Sequence, residues 1–336
     1  MKDLRYALCL IMVVLLTGCG ADSAMKKGDK FYALGEYYDA AAQYRRAYSL
    51  TKASERQLRG QRALKMADCY RRINYTQRAI AAYNNAVRYK QIDTLSLLRL
   101  GQMQLKNGNY KGAENVFLDL CDSLNLPKTA QYSLAKRTPV EYLVLTGLQS
   151  ARMSPKWKAD APLSGYTVKK QDIFNSRRAE YSPMLAGDDC DQLYFTSTRN
   201  QAIGDEYSGI TGTKNGDIFV SIKDDKGKWQ RPEPVEGDLN SALDEGACSF
   251  TPDARTMYLT VCATDPSYPR YAKIATSNRS DASWGKANTV EIARDTLSTF
   301  AHPAVSPDGM WLYFTSDMPG GLGGYDIWRV TVLYFS

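Results

Sequence analysis

A turn-and-strand unit that occurs three times in the second half of the chain constrains its fold most. Residues 306–309 read Ser-Pro-Asp-Gly, and the apolar run 312–316, Leu-Tyr-Phe-Thr-Ser, follows two residues later. Proline fixes φ at the first corner of a turn and glycine tolerates positive φ, so this pattern predicts a β-hairpin. Looser copies occupy 251–260 and 186–197. The tyrosines at matching positions are Tyr194, Tyr258 and Tyr313.

Further strand-like segments follow each hairpin. A third one lies at 217–220, 273–276 and 326–328, and Trp-containing segments introduce a fourth at 229–235 and 284–290. Four short strands in about 50 residues are typical of a propeller blade. The sequence therefore predicts an incomplete β-propeller of about three four-stranded blades over residues 166–336. A set of unrelated hairpins is the alternative, which the matching register disfavours.

The first half of the chain changes to a helical period. Small and aromatic residues recur at matching offsets after 39 and then 34 residues, as they do in tetratricopeptide (TPR) repeats. Small residues let paired helices approach closely, and aromatic rings fill the space between them. We therefore expect a TPR α-solenoid over 19–150, with a capping helix at 128–150 and a linker at 151–165. The three copies include Gly28, Tyr37 and Tyr44; Ala67, Tyr75 and Tyr83; and Gly101, Tyr110 and Phe117.

Residues 1–18 have the features of a signal peptide. Lys2 and Arg5 precede a ten-residue apolar run, which is too short to cross a bilayer. The sequence Leu-Thr-Gly-Cys at 16–19 resembles the lipobox of bacterial lipoproteins, which implies cleavage before Cys19 and lipidation of that cysteine. Several acyl chains on one residue anchor a protein stably. By the same resemblance, the residues after Cys19 favour the periplasmic face of the outer membrane. An ordinary signal peptide with a chance cysteine is the alternative.

Charge divides the chain at the same boundary. Residues 19–160 carry 24 Lys and Arg against 12 Asp and Glu, whereas residues 161–336 carry 17 against 23. The excess predicts a basic helical surface that meets an acidic partner or the acidic second half, and solvated helix faces are the alternative. A periplasmic location argues against nucleic acid as a partner. Candidate partner-binding residues on the first helix of each pair are Lys26, Lys27, Lys30, Arg62, Lys65 and Arg99.

The sequence offers little for catalysis or metal binding. Triads and dyads of the Ser-His or Cys-His type need a histidine, and His302 is the only one in the chain. We assign His302 a structural role next to a blade strand. Acidic pairs such as Asp224-Asp225 and Asp244-Glu245 are assigned to solvated turns, with loop-bound Ca²⁺ as the alternative. The glycine-rich loop 320–324 lacks the lysine and the helix of a phosphate-binding loop. We therefore expect no enzyme activity, metal or cofactor.

Five cysteines remain after Cys9 leaves with the signal peptide and Cys19 is acylated. None of them has the spacing of a zinc site. Cys248 and Cys262 belong to one predicted hairpin, and an oxidising compartment leaves a bridge between them open. An odd number means that at least one thiol stays free.

The order of these parts resembles the front of OmpA-family lipoproteins of Bacteroidetes, among them the PorE-like periplasmic lipoproteins of type IX secretion. The resemblance covers residues 16–330 and rests on the lipobox, the TPR repeats and the blade motifs, including Gly-Gly-Tyr-Asp-Ile-Trp at 323–328. The blades resemble those of TolB-like, WD-type propellers. Family members continue to an OmpA-like domain that grips peptidoglycan. This sequence shows no such domain, so the resemblance implies that any peptidoglycan contact is indirect.

The resemblance implies a non-enzymatic lipoprotein of the outer membrane, facing the periplasm. Its expected role is that of a protein–protein scaffold in a cell-envelope or type IX secretion complex. The alternative is a sensor whose propeller binds a small peptide or cell-wall fragment. Three blades do not close a ring, so we expect an open arc that pairs with another copy or with a separately encoded remainder. Residues 166–176 are predicted to be an outer, ring-closing strand.

Overall fold

The computed structural model describes residues 20–129, 137–159, 167–187, 189–204, 207–263, 271–294 and 297–332. The chain divides into two compact units. The first comprises Met1–Val168 and Gly209–Thr211, and the second comprises Lys169–Ser208 and Gly212–Ser336. The predicted signal peptide and Cys19 lie outside the described residues.

The first unit contains seven helices in its described part. Each helix from α2 onward packs against the next one, and α5 also packs against α7. Left-handed residues end α1, α3 and α5 at equivalent repeat positions, namely Gly35 (φ 79°), Asn74 (φ 61°) and Gly108 (φ 74°). The helices are α1 (residues 20–33), α2 (Tyr37–Leu50), α3 (Arg56–Arg72), α4 (Thr76–Arg88), α5 (Thr94–Lys106), α6 (Tyr110–Ser123) and α7 (Pro139–Ala159).

The helices pair as the small and aromatic residues predict. A Cβ atom on Gly28 would lie 2.6 Å from the Tyr44 ring, and one on Gly101 would lie 2.8 Å from the Phe117 ring. Only a small residue fits at these positions, because the ring of the second helix occupies the space above the first. Tyr44 and Phe117 are fully buried in consequence. The predicted array of closely packed helix pairs is therefore confirmed.

The last helix continues further than the sequence suggested. The linker was expected to begin at residue 151, whereas α7 extends to Ala159 and includes Pro155. Burial of Leu145, Leu148 and Ala151 against the α6 core anchors the helix across this boundary. Lys156 and Lys158 in its last turn also interact favourably with the helix dipole. Among the described residues, no helix combines the length and apolar character needed to cross a bilayer.

The second unit consists of three antiparallel sheets in its described part. The first sheet has the order β1-β2-β3-β4, the second has β5-β6-β7-β8 with β9 on β7, and the third has β10-β11-β12. The strands are β1 (Glu180–Ala186), β2 (Gln192–Ser197), β3 (Asp217–Ile222), β4 (Glu233–Pro234), β5 (Asp244–Phe250), β6 (Thr256–Ala263), β7 (Tyr271–Ser280), β8 (Ser283–Trp284), β9 (Asn288–Thr289), β10 (Phe300–Val305), β11 (Trp311–Ser316) and β12 (Asp326–Thr331).

The predicted hairpins lie where the turn chemistry placed them. The hydroxyl of Ser306 donates to Asp308, and Gly309 has a φ of 71°. The predicted fourth strands are present but short, as β4 and β9. The ring-closing strand at 166–176 was a wrong prediction for the described part of that segment, which contains no strand. Its Phe174 packs instead against Phe195, with ring centroids 6.3 Å apart. The propeller and its blade count remain predictions.

Candidate functional site

A cluster of charged and aromatic side chains joins three helices of the first unit. Asp68 on α3 accepts hydrogen bonds from Tyr32 of α1 (2.8 Å), from its own neighbours Arg71 and Arg72 (2.8 Å each), and from Arg99 of α5 (3.0 Å). We call these five residues the Asp68 cluster. Burial alone would raise the pKa of Asp68, but the hydrogen bonds from Arg72 and Arg71 outweigh it and hold the pKa at about 2. The carboxylate therefore stays ionised at neutral pH.

The Asp68 cluster carries a net positive charge. One carboxylate neutralises one of three guanidinium groups, whose side chains remain 23–34% exposed. The Arg72 guanidinium also lies over the rings of Tyr32 and Tyr37, at 5.4 and 5.0 Å from their centroids. A guanidinium has five N–H donors in a planar fork, which suits a carboxylate or phosphate of a partner.

Ion pairs between successive first helices repeat with the period of the fold. Lys65 of α3 pairs with Asp29 of α1, and Arg99 pairs with Asp68 at the equivalent positions one repeat later. The Asp29 carboxylate also accepts the Tyr44 hydroxyl at 2.8 Å. These contacts tie the three first helices into one face.

The six predicted basic residues fall into two groups. Lys26, Lys27 and Lys30 are exposed on α1 and form no ion pair within the described part of the chain. Lys65 and Arg99 belong to the interhelical pairs. Arg62 is only 5% exposed, and its guanidinium binds Asp22 at 2.8 Å and the Thr51 hydroxyl. Arg62 therefore joins α1, α2 and α3 and offers almost no surface to a partner.

Sequence reasoning missed Asp68, Arg71 and Arg72, although the repeat spacing carries a signal for Asp68. Asp29 and Asp68 lie 39 residues apart, and Lys65 and Arg99 lie 34 residues apart, which are the spacings of the packing residues. Opposite charges that recur at the repeat spacing indicate an interhelical ion pair.

A second candidate site lies in the second unit, where the inner strands β1, β5 and β10 converge. A cavity of about 490 Å³ is lined by residues of all three sheets, among them Tyr181, Asp244, Thr260, His302 and Tyr325. This volume is in the range of small-ligand sites. His302 lies beside the cavity with its side chain exposed, and the φ of 55° marks a strand bulge at this residue.

The sequence analysis assigned the pair Asp244-Glu245 to a solvated turn, and this prediction was wrong. Both residues belong to β5, and Glu245 is almost fully buried. The strand places Glu245 inside the unit. The Ser241 N–H and hydroxyl donate hydrogen bonds to its carboxylate there, which makes this burial possible. Asp244 accepts the Gly216 N–H at 2.8 Å, and burial raises its pKa.

None of the described cysteines forms a disulfide. Cys262 lies opposite Asp244 across the β5–β6 ladder, whereas Cys248 lies in the bulge further along β5. The offset explains why the possible bridge between them is not formed. Within the described ranges, no three or more His, Cys, Asp and Glu side chains are grouped so as to hold a metal ion.

Comparison with known proteins gives a fold likeness of limited extent. No family model matches the chain, and no curated protein matches it. Among solved structures, one similar chain belongs to the TPR2AB-domain:pHSP90 complex of yeast Sti1. It is 22% identical over 44% of this chain and 51% of that chain, with a TM-score of 0.29.

Proposed function

We propose that this protein is a non-enzymatic lipoprotein of the outer membrane whose helical unit is a protein–protein scaffold on the periplasmic side. Its partners are proteins of a cell-envelope or type IX secretion complex. The observation that carries the proposal is the net-positive Asp68 cluster, in which the Arg72 guanidinium lies over the half-buried Tyr32 and Tyr37. Arg and Tyr are enriched where proteins bind one another tightly.

Three further cations lie on α1. Lys26, Lys27 and Lys30 lie on the helix that also supplies Tyr32 to the cluster. A partner segment rich in carboxylates would complement both groups of cations. The proposed partner is therefore an acidic segment of an envelope protein.

Charge reversal tests this proposal in the full chain. Glu substitutions at Lys26, Lys27 and Lys30 should weaken partner recovery at least tenfold in cross-linking from intact envelopes, with unchanged thermal stability. The matched control carries the same charge change at Arg45, Arg46 and Arg88, which are exposed on the second helices α2 and α4. Equal recovery for both variants, with no effect of salt between 50 and 500 mM, would refute an acidic partner on this face.

The cavity supports a second candidate function, the binding of a small peptide or cell-wall fragment. Its lining is mostly apolar and includes Asp244, whose carboxyl suits an amino group of a ligand. Calorimetric titration with short peptides and with muropeptides tests this candidate. Tyr325→Ala, at the exposed rim, should weaken any binding at least fivefold. Absence of heat with both ligand classes at 1 mM would exclude them.

A further inference from the structure

The third sheet exposes a face that the first two sheets bury. Equivalent isoleucines pair with the threonine of the neighbouring strand in each sheet. Ile218 and Ile274 are fully buried, whereas Ile327 is 80% exposed. The tyrosines of the hairpin motif follow the same order: Tyr194 and Tyr258 are each 3% exposed, and Tyr313 is 36% exposed. The third sheet therefore carries the residue types that are buried between sheets elsewhere in the unit, but no sheet among the described residues covers them.

The two buried interfaces show what kind of surface covers this face. Thr196 of the first sheet accepts a hydrogen bond from the Ala247 N–H of the second at 3.1 Å. Thr260 of the second sheet accepts the His302 N–H of the third at 2.9 Å. Both donors have left-handed φ angles, 48° and 55°, at a bulge of the inner strand. A bulge turns the N–H of its extra residue out of the ladder, so the next sheet can be held by it.

Thr315 occupies the same position in the third sheet. Its hydroxyl donates to the Ala301 carbonyl oxygen at 3.2 Å within its own sheet. The oxygen of this hydroxyl retains acceptor capacity, because a hydroxyl has two lone pairs. Thr315 is half-buried, whereas Thr196 is fully buried. The third sheet thus presents a threonine hydroxyl that can accept a hydrogen bond from the bulge of another sheet, as Thr196 and Thr260 do.

The first sheet presents the matching donor. Its inner strand β1 has a bulge between Tyr181 and Met184, and Ser182 within that bulge has a φ of 53°. Leu185 is 49% exposed and is equivalent in register to Phe250, against which Tyr194 packs with ring centroids 4.7 Å apart. The exposed Leu185 therefore lacks a tyrosine, and the exposed Tyr313 lacks an apolar residue of the next sheet.

We propose that the exposed face of the third sheet binds the first sheet of a second copy of this chain. In this contact Thr315 Oγ1 accepts the Ser182 N–H, and Tyr313 and Ile327 pack on the inner-strand side near Leu185. Phe174 covers Phe195 of β2, so β1 and not β2 makes the contact on the first sheet. The proposal is independent of the proposed scaffold function.

The number of sheets sets the number of copies. A head-to-tail contact continues until the rotation closes, and the described part of each copy contributes three sheets. Two copies give a ring of six sheets, which is within the four to eight blades of known propellers, whereas three copies give nine. The proposed assembly is therefore a closed dimer with two identical junctions.

Sedimentation velocity of the purified full chain in mild detergent, from 1 to 100 µM, tests this proposal. We expect a dimer that Leu185→Glu and Ile327→Glu each weaken at least tenfold. Thr315→Val removes the acceptor at both junctions with little change in shape and should weaken the dimer about 25-fold, as expected for two hydrogen bonds of about 1 kcal/mol each. Leu322→Glu, at a fully exposed loop position near the third sheet, is the control and should leave the dimer unchanged.

A mixture of the two charged variants distinguishes a head-to-tail contact from a symmetric one. The Leu185→Glu protein retains a normal third sheet, and the Ile327→Glu protein retains a normal first sheet. Mixing them should restore one junction and give an open 1:1 dimer. A monomer at 100 µM, a dimer insensitive to both variants, or no recovery on mixing would overturn the proposal. If Ile327→Glu lowers the melting temperature, Tyr313→Ser replaces it in the same mixture.

Discussion

Asp68 is the residue on which the charge balance of the helical unit depends. Its carboxylate accepts hydrogen bonds from three arginines and one tyrosine, on α1, α3 and α5. Asp68→Asn should lower the free energy of unfolding by about 2–4 kcal/mol, because it leaves partly buried guanidinium groups without a counter-charge. Urea denaturation followed by far-UV circular dichroism measures the change.

Asp119→Asn on α6 is the matched control for this prediction. Asp119 is exposed and takes part in none of the ion pairs described for this unit. The control should change stability by less than about 0.5 kcal/mol. Equal effects of the two substitutions would mean that the Asp68 cluster is as weak as an ordinary surface ion pair.

Glu245 predicts a pH dependence of the second unit. Burial raises its pKa to about 7 from an ordinary 4.5, and burial likewise raises the pKa of Asp217 to about 6. Between about pH 4 and 7 the folded state therefore holds protons that the unfolded chain has released. Their stabilising contribution is complete below about pH 4 and is lost as the pH rises through 6 to 7.

Glu245→Gln should flatten this dependence between pH 4.5 and 8. The difference in unfolding free energy across this range should shrink by an amount of the order of 1–3 kcal/mol, measured by urea denaturation at each pH. Glu236→Gln, at an exposed position, is the control and should leave the slope unchanged. A slope that survives in Glu245→Gln would assign the titration to other groups.

At the scale of elements, the contact between Gly101 and Phe117 predicts a non-additive pair of substitutions. Gly101→Ala adds a Cβ atom 2.8 Å from the Phe117 ring, a clash that costs about 1–3 kcal/mol. The gain in helix propensity is about 1 kcal/mol, so the net change is a destabilisation of at most about 2 kcal/mol. In a Phe117→Leu background the same substitution should be close to neutral or stabilising, because the planar ring is gone.

Thermal and urea denaturation of the four proteins of this cycle measure the coupling. Asn84→Ala, on the exposed side of α4, controls for helix propensity and should be neutral or slightly stabilising. A Gly101→Ala effect that does not depend on residue 117 would show that α5 shifts freely away from α6.

The helix pairs and hairpins could be predicted from the sequence because their packing rules are local and repeat. Gly28 and Gly101 predict close helix contacts, and the sequence of Ser306–Gly309 predicts a turn. The burial of Arg62 could not be predicted. Its partner Asp22 lies 40 residues away, and their contact depends on how α1 packs on α3. Residue type alone cannot separate a buried, paired arginine from a solvated one.

At the scale of the whole molecule, the sheets show the same limit more clearly. Matching motifs contain Ile218, Ile274 and Ile327, so the sequence alone predicts equal burial for all three. Their burial differs because it depends on the next sheet and not on the motif itself. The candidate sites of both units were likewise beyond sequence reasoning in detail, since Asp68 and Asp244 acquire their surroundings only through packing between elements.

The attachment of the molecule to a membrane depends on Cys19, which lies outside the described residues. If Cys19 is acylated, Cys19→Ser should release the protein into the soluble periplasmic fraction and abolish labelling by fatty-acid analogues. The physical reason is that a single apolar signal segment is removed on export, whereas several acyl chains on one residue bind a bilayer stably. Cell fractionation and metabolic labelling measure both effects. Cys9→Ser, in the predicted signal segment, is the matched control and should change neither the fraction nor the label. Continued membrane fractionation of Cys19→Ser, with no label in the unmutated protein, would refute lipidation and would leave the architecture of the two units untouched.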